Sequence, residues 1–507
     1  MDHLSRLSKR IRGIAKAVVS FSSSIVDHIT LKRRCENEDS DEGDDDDSDS
    51  IDIDPFEAVL ERVKAKRIRE YVTTIRAKTL SNDKKKIPNV EVKSPTFIGE
   101  HICYRVKFAD GVSWILKVPA IGTPDQFDKD DAETLRSEAL TMIMLWRETT
   151  IPIPEVISYN ITCSNKLKVP FILMEFIDAR PLDEVWHDRE SPKEVVQARR
   201  TRCLRDIAAA YIQLGKYTFN EDRPLRFDDE DCLIGVVPVN NDPFSGLREG
   251  CTSRLDRWGN EEVEHRKGLQ KLLRMFVDWT PEPNGGKSFV LSHPNPNIFN
   301  FLVSEDGSVR AILDWHGAHT SSPSIGNESY PLWLMRDWDP SVYIWSEEME
   351  QGIHDEENVW EDSPDTLKFY QNVYAQCIAD LRPESENAKV TRNSVLFQHL
   401  MMATGDPMFS LGITEKILLE VMKRVDKNSN NKDSGNSGSS KEHLTGDHSS
   451  PNETEDAGHG GIEADMDGED EDEFFDIYEF LQGLSKDGLC EHRQKLFKKG
   501  FQALFIS

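Results

Sequence analysis

The eight cysteines of this 507-residue chain follow no motif, and that absence excludes several classes of protein. They are scattered from Cys35 to Cys490 without a C-x-x-C pair, so neither a cysteine zinc site nor a disulfide framework is expected. The sequence also has no apolar run of about 18 residues and no secretory pattern, so no membrane span is expected. These absences favour a reducing compartment and a cytoplasmic protein.

Internal repeats and basic stripes are absent too. Outside the N-terminus, lysine and arginine form no pattern suited to nucleic acid, so we expect neither DNA nor RNA as a partner. The first 34 residues differ, with eight basic residues against two acids and an apolar stripe at helical spacing. Such a basic amphipathic start is typical of a mitochondrial transit peptide, of a membrane-surface helix or of a self-docking arm. A mitochondrial localisation is therefore the alternative to the cytoplasmic one.

The net charge of −29 comes mainly from two tracts. Residues 35–54 and 453–476 hold 12 acids each and no lysine or arginine, and the chain without these acids has a charge of −5. Both tracts are poor in apolar residues, so we predict disorder over 35–54 and over 426–472, which begins with a Gly/Ser-rich stretch. Solvated spacer is the default interpretation. The alternatives are a nucleic-acid mimic, a phosphorylatable switch or a surface that recruits basic proteins.

The stretch from Leu291 to Gly317 carries the strongest functional pattern. After a polar loop, two apolar runs, Phe301–Val303 and Val309–Leu313, flank an Asp-Gly turn, which predicts a β-hairpin. The hairpin would bring Asn300 and Asp314 to one end, facing one another about 5 Å apart. A carboxylate beside an amide oxygen suits Mg²⁺, so the pattern predicts a phosphoryl-transfer site.

The loop H-P-N-P-N-I-F-N and the following I-L-D-W resemble the aminoglycoside phosphotransferase-like family, whose fungal members carry H-P-D-L-x-x-x-N-I-L-V here. These are small-molecule kinases with a protein-kinase-like fold. The resemblance implies ATP and Mg²⁺ as cofactors, Asn300 and Asp314 as metal ligands, and a hydroxyl of an unknown small molecule as acceptor. It also places Asn295 where the family has its catalytic aspartate, and an amide cannot accept a proton.

A second hairpin is predicted from Cys103 to Val118, because apolar and polar residues alternate on both sides of an Asp-Gly turn. Lys117 lies late in its second strand. The next segment, Asp131 to Glu148, has helical periodicity, with Glu138 on its apolar face. A buried carboxylate needs a partner, and Lys117 is the obvious one. A strand lysine held by a helix glutamate is how kinases position nucleotide phosphates.

Two more apolar runs, Ile153–Tyr159 and Phe171–Ile177, are predicted as further strands of a small sheet. The resemblance puts the adenine-contacting hinge at Met174, Glu175 and Phe176, although these residue types suit buried core strands equally well. A single glycine stands where protein kinases have their glycine-rich loop.

Together these patterns predict an α+β, protein-kinase-like bilobal fold with a small five-stranded antiparallel N-lobe and a mainly helical C-lobe. The expected segments are a basic start (1–34), an acidic disordered tract (35–54), the N-lobe (56–176), the C-lobe (177–425), an acidic disordered insertion (426–472) and a closing helical segment (473–507).

Three hypotheses of function follow. The first is ATP-dependent phosphoryl transfer to a small molecule, weakened by Asn295. The second is a pseudokinase, a nucleotide-binding or scaffold protein without transfer. The third is an acidic, non-enzymatic chaperone of basic proteins. Only the first two predict that nucleotide stabilises the fold.

Overall fold

The computed structural model describes residues 56–79, 89–236, 246–259, 261–281, 289–353, 360–382, 387–433 and 476–505. The predicted basic start (1–34), the acidic tract (35–54) and residues 434–472 of the predicted insertion lie outside the described residues. Within these ranges no helix is both long enough and apolar enough to cross a membrane.

The N-terminal part is built on one antiparallel sheet in the order β1-β3-β4-β6-β5, with β2 also paired to β3. Its strands are β1 (Val90–Val92), β2 (Thr96–Ile98), β3 (His101–Phe108), β4 (Ser113–Pro119), β5 (Val156–Asn160) and β6 (Phe171–Glu175). The hairpin predicted between Cys103 and Val118 and the two later strands are thereby confirmed.

The sheet has six strands rather than the predicted five, because the edge strand is interrupted. Val92 lies opposite Val106 and Thr96 opposite Cys103, so one extra residue has been inserted between β1 and β2. Pro95 lies in this interruption, and a proline has no N–H with which to continue the ladder. The bulge leaves two short strands end to end along the same edge of β3.

The two faces of the sheet have different neighbours. Ile102, Tyr104, Trp114 and Leu116 pack with the helices α1 (Glu57–Arg62) and α2 (Ala65–Thr79), which cover one face. Successive strand residues point to opposite faces, so Cys103, Ile115 and Lys117 lie on the other. The sheet thus presents Lys117 on the face that the two N-terminal helices leave open.

Helix α3 (Lys129–Glu148) follows the sheet's second hairpin. It begins where Asp128 caps it: the Asp128 carboxylate accepts hydrogen bonds from the backbone N–H of Asp130 and Asp131, and the Asp131 side chain accepts one in return. The helical prediction for Asp131–Glu148 is confirmed. Glu138 is buried on its inner face, as the apolar periodicity indicated.

The following part is mainly helical, which confirms the predicted α+β class. Its longer helices are α5 (Lys193–Leu214), α9 (Pro364–Leu381) and α10 (Asn387–Gly405), with the short helices α4 (Leu182–Trp186), α6 (Leu247–Asp256) and α8 (Glu347–Glu350) between them. Two 3₁₀ helices span Ile298–Asn300 and Leu332–Trp338.

Short strands complete this part. They are β7 (Arg180–Pro181), β8 (Thr218–Phe219), β9 (Leu225–Phe227), β10 (Leu233–Val236), β11 (Phe289–Ser292), β12 (Phe301–Val303), β13 (Val309–Ile312) and β14 (His319–Ser321). β12 and β13 form the hairpin predicted around the Asp-Gly turn, and β12 also pairs with β7. This hairpin brings the end of the loop, directly before Phe301, next to the start of the segment that follows Ile312 and contains Asp314.

Contacts group the chain into two units, one of residues up to 254 with 281–413, the other of 255–280 with 414 onward. This partition differs from the predicted boundary at 425. The second unit contains α7 (Glu264–Trp279), α12 (Ile477–Lys486) and α13 (Glu491–Leu504). Phe276 and Phe501 stack at 4.8 Å between ring centroids, so the closing helices contribute to a core. Helix α11 (Pro407–Asp433) extends past residue 425, so the predicted disordered insertion starts too early.

Candidate functional site

Lys117 is the centre of a charged cluster in the first unit. Its Nζ lies 2.7 Å from Oε1 of Glu138 and 3.4 Å from Oδ1 of Asp314. The Glu138 side chain is only 1% exposed and that of Lys117 10%, whereas Asp314 is 31% exposed. The structure thus brings together three predicted site residues from β4, α3 and the segment after β13.

The pKa values of this pair show that the charges support one another. Burial by itself lowers the pKa of Lys117, but the carboxylates of Glu138 and Asp314 outweigh it and raise the pKa above its ordinary value. Burial by itself raises the pKa of Glu138, but Lys117 and His316 hold it well below its usual range. Both groups are therefore charged at neutral pH, and each compensates the desolvation of the other.

Asp314 follows the last hairpin strand in an uncommon backbone conformation. Its φ is +59°, a left-handed value that few residues other than glycine adopt. The hairpin ladder pairs Phe301 with Ile312, and the Leu313 N–H donates to the Asn300 carbonyl at 2.8 Å. Asn300 therefore lies opposite Leu313, one residue before the expected Asp314. The left-handed turn then directs Asp314 towards Lys117.

The loop before the hairpin is held by His293, which the sequence interpretation did not assign a role. Its Nε2 lies 2.8 Å from the Leu313 carbonyl, and its Nδ1 accepts a 3.1 Å hydrogen bond from the Asn295 backbone N–H. The ring also packs 4.7 Å from Trp315. His293 thus ties Asn295 to the residue that precedes Asp314. Burial lowers its pKa to about 4, so the ring is neutral and fits one donor and one acceptor role.

Asn295 and Asn300 are joined within this loop. The Asn300 Nδ2 donates a 2.9 Å hydrogen bond to the Asn295 backbone carbonyl, which leaves the amide oxygen on the opposite side. The Asn295 side chain is buried, with 6% of the residue exposed. Asn295 therefore lies inside the loop, beside His293 and Asn300, which bind the backbone of Leu313 directly before Asp314.

The predicted hinge residues lie at the end of β6. Met174 pairs with Ile115 and Ile172 with Lys117, which places Met174 on the same sheet face as Lys117. The Glu175 N–H donates to Glu155 and the Phe176 N–H to Ser113, so both donors bind other parts of the chain. Phe176 itself packs under the Arg105 guanidinium at 3.6 Å. The N–H groups of these two residues are therefore not available to a ligand.

Two histidines that the sequence interpretation did not single out also approach Glu138. The His316 Nδ1 lies 3.4 Å from Oε2 of Glu138, and the rings of His316 and His101 meet edge to face at 5.5 Å. The sequence offered one signal that His316 belongs to the site, which is its position two residues after Asp314. Nothing in the local pattern around His101 indicated it, because the approach depends on where β3 begins.

Comparison with known proteins agrees with the resemblance found in the sequence. Residues 103–325 match the model of the phosphotransferase enzyme family. This segment is therefore similar to that family. It includes Lys117, Glu138, the hinge, the loop and Asp314, and the prediction of an aminoglycoside phosphotransferase-like domain is confirmed.

Curated relatives are similar over part of the chain. "Altered inheritance of mitochondria protein 9, mitochondrial" of Candida albicans is 27% identical over 181 residues, which are 35% of this chain and 28% of the relative. The protein of the same name from Candida dubliniensis is 26% identical over 41% of this chain and 32% of its own length. The matched segment thus spans about a third of these relatives or less. A solved macrolide 2′-phosphotransferase from Brachybacterium faecium is 15% identical, with a TM-score of 0.36 over 68% of this chain and 97% of that one.

Proposed function

We propose that the phosphotransferase-family domain binds Mg²⁺–ATP and transfers its terminal phosphoryl group, slowly, to a hydroxyl of a small molecule. The observation that carries this proposal is the position of Lys117 between Glu138 and Asp314. An ammonium group held by a buried carboxylate is oriented, and it keeps its charge for a phosphate. Surface lysines lack such a constraint.

The loop and hairpin residues fit a magnesium ion. Asn300 uses its amide nitrogen inside the loop, so its oxygen is the atom available to a hard cation. Asp314 is partly exposed and contacts Lys117 at the long distance of 3.4 Å, which leaves carboxylate oxygen for a ligand. When bound, Mg²⁺ would neutralise charge on the phosphates. Lys117, Asn300 and Asp314 would then position the nucleotide.

On the adenine side, we propose that the backbone of the segment Met174, Glu175 and Phe176 contacts the base, with the Glu175 carbonyl as an acceptor. The N–H groups of Glu175 and Phe176 are bonded to Glu155 and Ser113, so a donor to the base has to come from further along the chain. Ile177 is the next residue, and we propose its N–H for that role.

The acceptor side supports weak transfer. Asn295 can orient a hydroxyl by hydrogen bonding, but it cannot take the proton, and the loss of a general base typically costs about 10²–10⁴ in rate. Phosphoryl transfer depends mainly on positioning and electrostatic stabilisation, so residual activity fits the remaining residues. The same substitution favours a second candidate, a pseudokinase that binds nucleotide without transfer.

Localisation is proposed from the relatives. Their name places them in mitochondria, and this supports the mitochondrial alternative for a chain whose first 34 residues are basic and amphipathic.

Nucleotide-induced stabilisation tests the binding half of the proposal. Mg²⁺–ATP at 100 times its dissociation constant should add about 2.7 kcal/mol to the free energy of unfolding, measured by thermal or chemical denaturation. Asp314→Asn should remove most of this gain, because it removes a charged metal ligand. Asp306→Asn is the matched control, since Asp306 lies in the turn of the same hairpin and bonds Ser304 and Arg202. Equal stabilisation of the Asp314→Asn variant would contradict the proposed metal position.

A further inference from the structure

His101, Glu138 and His316 form a second cluster of metal-binding groups beside Lys117. One ligand atom from each of the three side chains lies within 4.8 Å of the other two. They come from three elements of the first unit: His101 begins β3, Glu138 is in the middle of α3, and His316 follows the hairpin. Three donors brought together from positions so far apart in the sequence are a product of the fold.

The two oxygens of Glu138 have different partners. Oε1 lies 2.7 Å from the Lys117 ammonium, whereas Oε2 lies 3.4 Å from the His316 Nδ1. A cation bound at Oε2 would therefore not replace Lys117 at Oε1. The Glu138 carboxylate can therefore bind Lys117 through Oε1 and a cation through Oε2 at the same time.

The protonation states suit a metal ion. Partial burial, together with the charge of Lys117, holds the pKa of His101 well below its ordinary value, so this ring is neutral and has a lone pair to donate. Glu138 is ionised, because Lys117 and His316 outweigh the effect of burial on its pKa. The atoms that the cluster offers to an ion are a Glu138 carboxylate oxygen and one imidazole nitrogen from each histidine.

We infer that His101, Glu138 and His316 form a binding site for a divalent transition metal ion, with Zn²⁺ as the best match. Two histidines and one carboxylate are a common donor set for zinc, and three protein ligands leave the fourth position to water. Imidazole selects zinc over magnesium, which prefers oxygen. The site is separate from the oxygen ligands Asn300 and Asp314 and does not depend on phosphoryl transfer.

The geometry requires a small contraction. Ligand atoms on one tetrahedral zinc lie about 3.4 Å apart for bonds of about 2.1 Å. Oε2 of Glu138 and Nδ1 of His316 are already 3.4 Å apart, so the inward movement is that of His101, whose ligand atom lies within 4.8 Å of both. A bound ion would then link β3, α3 and the segment after the hairpin.

The test is a titration of the full chain with Zn²⁺ alone and with Co²⁺ alone, without nucleotide. Calorimetry should give one tight equivalent, and bound Co²⁺ should show the visible absorption of a tetrahedral site. His101→Gln and His316→Gln should each weaken that equivalent by more than about 100-fold, since changes to outer partners alone cost about 10–100-fold. Zn²⁺ should also raise the melting temperature of the wild type and not of the variants.

His492→Gln is the matched control, because His492 is exposed on α13 in the second unit. It should bind zinc as the wild type does. The melting temperatures of the metal-free variants show whether each has folded, and a variant that has not is set aside in favour of the other. An equivalent of equal affinity in both histidine variants, or weak binding with no saturable equivalent in the wild type, would overturn the assignment.

Discussion

Lys117 on the sheet side of the site contacts two carboxylates, whereas the loop side presents the neutral amide of Asn295. Substitution of a charged residue on the sheet side should destabilise the fold strongly, because each charge compensates the burial of another. On the second side, the Asn295 N–H donates a neutral hydrogen bond to His293, and the Asn295 carbonyl accepts one from Asn300. The difference teaches that one side of the site is fixed by paired charges and the other by the geometry of neutral hydrogen bonds.

The largest loss of stability is expected when the charge of Lys117 is removed from the sheet side. Lys117→Met should reduce the free energy of unfolding by about 3–5 kcal/mol, because it leaves the Glu138 carboxylate buried without its ammonium partner. Urea denaturation measures this loss. The double variant Lys117→Met with Glu138→Gln removes the charge as well and should regain part of it. A single variant as stable as the wild type would show that the pair does not compensate the burial of its charges.

A smaller effect is expected on the loop side, where it depends on pH. His293 has a folded-state pKa of about 4 against an ordinary value of 6.5, so the unfolded chain takes up a proton first as the pH falls. Stability should be complete above about pH 6.5 and decline towards about pH 4, by about 3 kcal/mol. In His293→Gln this component should vanish, as measured by denaturation across that range. An identical pH profile in the variant would assign the decline to other groups.

The smallest effect concerns a segment away from both sides. Deleting residues 434–472 should change the free energy of unfolding and nucleotide binding little, because the segment has too few apolar residues to belong to a core. A deletion beginning at residue 434 keeps helix α11 intact. A large loss of stability would show that the segment packs on the folded part after all.

Much of the fold and part of the site could be predicted from the sequence. The alternation around Lys117 and the periodicity around Glu138 identified their elements, and burial of a carboxylate identified its partner. The bulge at Pro95 and the left-handed Asp314 could not be predicted, since they depend on how neighbouring strands pair.

The features that could not be predicted depend on contacts between residues that are far apart in the sequence. The bond from His293 to Leu313 and the meeting of His101 with His316 join positions that no local pattern links. The hydrogen bonds of the Glu175 and Phe176 N–H groups likewise could not be predicted, because their acceptors lie on neighbouring segments of the sheet. Periodicity reports which face of an element is buried, and only the folded chain shows which side chains share that face.

The most direct test of the account measures phosphoryl transfer or nucleotide hydrolysis by the wild type and by Asn295→Asp in parallel. The variant restores the base with almost no change in size, and it should turn over at least about 10²-fold faster. Asn297→Asp adds the same charge two residues along the same loop and should give no gain. Equal and rapid turnover in the wild type and Asn295→Asp would contradict the claim that the missing carboxylate limits this site.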